Sequence, residues 1–138
     1  NLNLSKDELC EIAVKIGADV PFFVYEYDSA NVTGIGEVVR KFEEELLNID
    51  TITPKIKCNT GEIFKIFREK FYKQISKEES NRLLNMKSID ILKEFDIKKA
   101  NDLYEPALSL YTQLNDYSKE DWYFSGSGSS FFKVNNGK

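Results

Sequence analysis

The sequence predicts a mixed α+β fold, and three observations carry that prediction. Apolar residues recur at helical spacing near the N-terminus and again between positions 60 and 114. Short β-branched and aromatic runs flank small-residue turns at 34–36 and 125–130. The 138 residues, 41% hydrophobic and 30% charged, have the composition of an ordinary globular protein. That length suits one domain or one large lobe, since domains run to roughly 100–200 residues.

Ser5 and Glu8 form an S-x-x-E capping box, with Leu4 and Leu9 at staple positions. Leu9, Ile12, Ala13 and Ile16 follow the stripe of one buried helix face, and Gly17 stands where a left-handed cap belongs. The spacing predicts a helix over 6–16. From Val20 to Phe42 the pattern reads as strands. Phe22, Phe23, Val24 and Tyr25 make a short apolar run, and positions 30–42 carry β-branched residues around Gly34-Ile35-Gly36, a hairpin turn or bulge. An acidic connection follows over 43–53. A strand is expected over 52–58, with Pro54 at its edge or start.

The second half reads as mainly helical. Thr60 is placed to cap a helix carrying Ile63, Ile66, Phe67 and Phe71. Ser76 and Glu79 repeat the capping-box signature, and 88–95 is a shorter candidate. Asn101 or Asp102 is expected to cap a helix with Leu103, Ala107, Leu110 and Leu114 on one face. Pro106 falls near its first turn, where a missing amide costs little. Trp122 to Phe124, the Ser125–Ser130 turn and Phe131 to Val134 read as strand, turn, strand.

Charge and composition exclude several classes of function. With 23 acidic and 19 basic residues the net charge is −4, which argues against a nucleic-acid partner. No apolar run approaches the ~20 residues of a membrane span, so no membrane partner is expected. Nor do the opening residues read as a secretory leader. The 16 lysines against three arginines reflect an AT-rich coding bias. There is no histidine, which removes His-based acid–base and triad chemistry. Cys10 and Cys58 alone make no zinc finger and are expected as free thiols in a reducing cytoplasm. No metal-ligating set is expected.

Two stretches stand out as candidate sites. Gly17-Ala18-Asp19-Val20-Pro21-Phe22-Phe23 puts Asp19 on a stiff corner after a helix, where a carboxylate is poorly placed for the helix dipole. It is either a solvated turn residue or a carboxylate poised to orient a hydroxyl or take its proton. Ser125-Gly126-Ser127-Gly128-Ser129-Ser130 is either an ordinary hairpin turn or a close-approach loop whose amides line an anion site. It is not a P-loop, because no Gly-Lys-Ser/Thr follows. Thr60 and Phe64 lie one helical turn apart, and periodicity leaves Phe64 open between core and cleft.

Together these segments resemble the C-terminal part of the 4-diphosphocytidyl-2-C-methyl-D-erythritol kinases. That family belongs to the superfamily named for galactose, homoserine, mevalonate and phosphomevalonate kinases. The resemblance runs from Leu9–Ile16 and the Gly-Ala-Asp-Val-Pro-Phe-Phe of 17–23 through Gly34-Ile35-Gly36-Glu37 and Thr60-Gly61-Glu62-Ile63-Phe64. It continues through Asn101-Asp102-Leu103-Tyr104-Glu105-Pro106-Ala107 to Ser125-Gly126-Ser127-Gly128-Ser129-Ser130-Phe131-Phe132. It implies a superfamily C-terminal lobe, a ferredoxin-like sheet with helices on one face, over 51–138. Positions 1–50 would be the remnant of the N-terminal kinase domain, a helix, the aspartate corner and a hairpin. Those first elements would lack their usual sheet partners, which predicts exposed apolar surface, mobility or self-association.

The activity implied is ATP-dependent phosphorylation, with magnesium, of a tertiary hydroxyl on diphosphocytidyl-methylerythritol, in the cytoplasm. By the same resemblance Asp19 is the catalytic aspartate. Thr60 and Ala18 lie on the substrate side, Phe64 packs on the cytosine, and Ser125, Gly126, Ser127, Gly128 and Ser129 lie near the phosphates. The family's Lys/Asn pair and its glycine-rich ATP loop have no counterpart in these residues, and the opening reads as that of a cut fragment. The chain alone is therefore expected to be inactive and to bind ATP at millimolar strength or not at all, weaker than about −4 kcal/mol. Two rivals remain: another kinase of the superfamily, of homoserine or mevalonate type, and a non-catalytic α+β binding or interaction module.

Overall fold

The computed structural model describes residues 3–135 and forms two compact units, one up to Leu46 and one from Leu47. Each is α+β, with a small antiparallel sheet.

In the first unit, α1 spans Lys6–Ala13. Both halves of the capping box form: the Glu8 amide donates to the Ser5 hydroxyl at 3.3 Å, and the Ser5 amide donates to the Glu8 carboxylate at 2.8 Å. The helix stops at Val14, short of the expected Gly17, whose amide closes a turn on the Ala13 carbonyl at 3.1 Å. The buried positions are Cys10 and Ala13, whereas Leu9, Ile12 and Ile16 of the expected stripe are exposed. Among the described residues of the first unit, none covers that stripe enough to bury it.

The run expected as an aromatic strand is a helix, α2, Val20–Tyr25. Pro21 supplies the reason. At the second helical position its fixed φ suits a helix, and its missing amide is one that a helix start leaves unpaired. Instead of joining a ladder, the segment folds back on α1. The Lys6 ammonium donates to the Tyr25 carbonyl at 3.0 Å, the Tyr25 hydroxyl donates to Asp7 at 2.8 Å, and Pro21 is buried beside Cys10. Glu26, in the left-handed region, ends the helix. The expected hairpin follows as β1, Ala30–Thr33, and β2, Val38–Lys41, with Ala30 opposite Lys41 and Thr33 opposite Val38.

In the second unit, β3 spans Ile49–Ile52, earlier than the strand expected over 52–58. Pro54 cannot donate to a ladder, so the strand ends before it. Ile56 and Cys58 still pack against the core, but from an irregular segment. The helical region contains α3, Thr60–Ile66, running into a π turn at Phe67–Phe71. Next come α4, Lys77–Leu84; α5, Ser88–Glu94; α6, Ile97–Ala100; and α7, Tyr104–Leu110, with a 3-10 turn at Thr112–Tyr117. Asn59, not Thr60, caps α3: its side chain accepts from the Glu62 amide at 3.1 Å.

The sheet is ordered β3–β5–β4, with β4 at Tyr123–Phe124 and β5 at Phe131–Val134. Phe124 lies opposite Phe131, and both face a core of Ile63, Tyr104, Ala107 and Leu114. The Tyr104, Phe124 and Phe131 rings meet edge to face, with centroids 5.2–6.4 Å apart, the geometry aromatic quadrupoles favour. Tyr123 and Phe132 occupy the opposite face, where the Tyr123 hydroxyl donates to the Leu92 carbonyl of α5. Among the described residues no helix is long and apolar enough to cross a membrane.

Candidate functional site

Asp19 sits between α1 and α2, one residue ahead of the second helix. It therefore faces the positive start of α2, not only the carbonyl end of α1, which corrects the unfavourable placement expected from sequence. It is exposed, and its carboxylate makes no capping hydrogen bond. The hairpin turn shapes its surroundings. Gly36 is buried with φ +122°, and a β-carbon there would fall 2.7 Å from an Asp19 carboxylate oxygen and 3.1 Å from the Ala18 carbonyl oxygen. Only glycine lets the turn come this close, so Gly36 joins Ala18 and Asp19 in one corner. Sequence reasoning saw the Gly34–Gly36 turn but not its closeness to Asp19.

The other predicted residues lie in the second unit. Thr60 occupies the first turn of α3 and is exposed. Its hydroxyl shares a 2.8 Å hydrogen bond with the Ser127 hydroxyl, so two residues predicted separately, 67 positions apart, meet. Phe64, one turn further, keeps 40% of its surface exposed while its neighbour Ile63 is fully buried. Phe64 is therefore not one of the buried core residues of this unit.

The Ser125–Ser130 turn is braced on several sides. The Ser125 amide donates to the Ser130 carbonyl at 2.9 Å, and the Gly128 amide donates to the Ser125 carbonyl at 3.1 Å. Two of the amides proposed for an anion are thus engaged within the turn. Ser129 donates to the Pro54 carbonyl at 2.7 Å, and Ser130 shares a 2.8 Å bond with Thr53. Gly128, at φ +95°, lies against the Phe124 ring and the Cys58 thiol, and a β-carbon there would come within 2.5 Å of the ring. Burial pushes the Cys58 thiol above its ordinary value, which suits packing rather than nucleophilic work. Cys10 and Cys58 are both free.

A cavity of about 1010 Å³ lies elsewhere in the second unit, lined by Phe95, Trp122, Tyr123 and Lys133 among others. None of the predicted site residues lines it. Asp19, Thr60, Phe64, Ser125, Gly126 and Gly128 are exposed, whereas Ala18 and Ser127 are half-buried and Ser129 is buried.

These features define a fold with a solved counterpart. A crystal structure of 4-(cytidine 5'-diphospho)-2C-methyl-D-erythritol kinase superposes on 98% of this chain and on 49% of its own, with a TM-score of 0.65 at 23% identity. The fold is thus that of part of a small-molecule kinase. Relatives carry the comparison further. The chain is 48% identical over 134 residues to a 4-diphosphocytidyl-2-C-methyl-D-erythritol kinase of Sulfurimonas denitrificans, covering 97% of this chain and 50% of that protein. Proteins of the same name from Sulfurovum sp. and Campylobacter jejuni subsp. doylei are 41% and 36% identical, over 95% and 97% of this chain. The resemblance read from the sequence therefore holds from end to end, and the chain spans about half the length of the curated relatives it matches. No protein-family model matches the chain.

Proposed function

We propose that this chain is the substrate-side half of an ATP-dependent kinase acting on the tertiary 2-hydroxyl of 4-diphosphocytidyl-2-C-methyl-D-erythritol, in isoprenoid precursor synthesis. The observation that carries the reading is its similarity, along nearly its whole length, to relatives bearing that name. In this reading the first unit belongs to the kinase's N-terminal domain and the second to its C-terminal lobe, with the boundary at Leu46/Leu47 because the expected cut after residue 50 would split β3. Helices α3 and α7 together on one face of the small sheet support a ferredoxin-like lobe, while α5 on the Phe132 face departs from it.

Asp19 accepts the proton of the substrate hydroxyl or orients it. The hydroxyl oxygen bonds to the terminal phosphorus of ATP, the bond to the bridging oxygen breaks, and ADP leaves. The exposed, uncapped carboxylate supports that role. Thr60 in the second unit and Ala18 in the first are each assigned to the substrate by the family resemblance, and Phe64 offers its exposed ring to the cytosine. Ser125 to Ser129 close around the phosphates. Among the described residues no three Asp, Glu or Cys side chains converge as a metal site. The glycine-rich loop that grips ATP in the family is not among these residues, so the chain alone is proposed to be inactive. Its exposed apolar side chains in the first unit would favour self-association.

The test uses a full-length protein carrying this segment, mixed with Mg-ATP and, in turn, the cytidyl substrate, homoserine and mevalonate. Phosphorus NMR should show a new phosphate ester with the cytidyl substrate alone. Turnover of homoserine or mevalonate would favour the rival kinases. A folded protein that turns over none of them would favour the non-catalytic module.

A further inference from the structure

We infer that Asn101 is a positioning residue that sets the shape of the Ser125–Ser130 loop. Its link to phosphate transfer rests on the kinase reading; the clamp itself does not. The Asn101 side-chain amide nitrogen donates to the Phe124 carbonyl at 2.9 Å and to the Gly126 carbonyl at 2.9 Å. Its oxygen accepts from the Leu103 amide at 2.9 Å, just before α7. Two donors and one acceptor are thus satisfied on one short side chain. Aspartate has the acceptor but no donor, serine has a single donor, and glutamine is a methylene longer.

The position of the two carbonyls explains the effect. Phe124 is the last residue of β4 and is almost fully buried in the core. Gly126, at φ +56°, is the first bend of the loop. Asn101 grips the chain on both sides of Ser125, where the strand becomes the loop. The remaining ties come from the 53–60 segment: Thr53 to Ser130, the Pro54 carbonyl to Ser129, and Thr60 to Ser127. Asn101 supplies a tie from the α6–α7 connection and couples the loop to the core through Phe124. Its sequence signal, the Asn-Asp-Leu before a helix, reads as a cap. The cap itself does not form, because Leu103 is the N-cap of α7, and the acceptor of Asn101 binds the Leu103 amide instead.

The experiment compares wild type, Asn101→Asp and Asn101→Ala in the full-length protein, by amide hydrogen exchange and by steady-state kinetics. Asn101→Asp keeps the acceptor for Leu103 and removes both donors. Exchange at 125–130 is expected to rise about tenfold while the Ile63 and Leu114 amides stay protected. Turnover should fall about tenfold to a hundredfold, as misplaced positioning groups allow, with KM for the cytidyl substrate unchanged within about twofold. Unchanged exchange in the loop, or wild-type turnover, overturns the proposal. Equal acceleration in loop and core also overturns it, because that marks a merely structural residue. If the aspartate variant does not fold, Asn101→Ala, which adds no charge beside the carbonyls, decides on the same criteria. A wild type without kinase turnover refutes the kinase reading, while the exchange pattern still judges the clamp.

Discussion

Phe131 and Ile16 are both large apolar residues, yet Phe131 is fully buried in the second unit and Ile16 is 78% exposed in the first. The contrast extends to their surroundings. The second unit has a connected core of Ile63, Tyr104, Ala107, Leu114, Phe124 and Phe131. In the first, Leu9, Ile12, Val14, Phe23, Val32 and Ile35 are exposed as well, and the buried residues of α1 and α2 are only the small Cys10 and Ala13 and Pro21, beside polar ties at Lys6, Asp7 and Tyr25. Similar apolar patterning thus has different consequences. A periodic stripe states that a face can be buried; only the rest of the fold supplies what buries it.

The largest expected effect follows directly. Phe131→Ala removes a ring packed against Tyr104, Tyr117 and Phe124 and should destabilise the second unit by about 3–5 kcal/mol. Ile16→Ala should change stability by no more than about 0.5 kcal/mol. Urea unfolding of both variants measures the pair. Equal losses would erase the distinction between the units.

Next in size is Asp19→Asn, which tests the first unit as a carrier of chemistry rather than of stability. The substitution keeps the side chain's shape beside Gly36 and removes its charge. Turnover in the full-length protein should fall roughly 10²-fold or more, which is about 2.7 kcal/mol of barrier. The Michaelis constant for ATP should move little. Near-normal turnover would reduce Asp19 to a solvated corner residue.

Legibility also differed between the regions, for physical reasons. Capping at Ser5 and Ser76, the Gly34–Gly36 hairpin and the strand–turn–strand at 123–134 follow from local rules and were readable. Val20–Tyr25 was misread because β-branched and aromatic residues suggest a strand, while Pro21 at the second position of a helix is equally local information pointing the other way. Asp19, the Ser125–Ser130 turn and the Thr60/Phe64 pair stand out from local pattern, while their roles come from family resemblance. Their contacts, Thr60 with Ser127 and Gly36 with Asp19, depend on long-range closure that no local pattern encodes. Asn101 or Asp102 reads as a helix cap, but Leu103 stands at the N-cap of α7, and the carbonyl partners of Asn101 lie more than 20 residues away.

A smaller effect is expected at Phe64, which compares an exposed aromatic with the buried Ile63 beside it. Phe64→Ala should weaken the cytidyl substrate by about 1–3 kcal/mol, the range for a base stacked on an aromatic ring, and leave the Michaelis constant for ATP nearly unchanged. Melting temperature should stay close to wild type, because the ring is not part of the core. A variant that melts early and loses both substrates equally would return Phe64 to a structural role.

The smallest effect concerns the exposed side of the second unit. The Arg82 guanidinium donates to both Glu79 carboxylate oxygens at 2.8 and 2.6 Å and to both Glu94 oxygens at 2.9 and 2.8 Å, joining α4 to α5. Those hydrogen bonds hold both carboxyl groups below the ordinary glutamate value of 4.5. A depressed folded-state value means the stabilisation is present above the unfolded carboxylate range and is lost as pH falls through the lower, folded value. Wild type should therefore lose a little stability on acidification that Arg82→Met has already lost at neutral pH. The two unfolding curves should converge in acid. All three groups are solvent-exposed, so added salt should shrink the difference. A gap between the curves that persists in both acid and high salt would show that Arg82 acts by packing its stem, not by pairing.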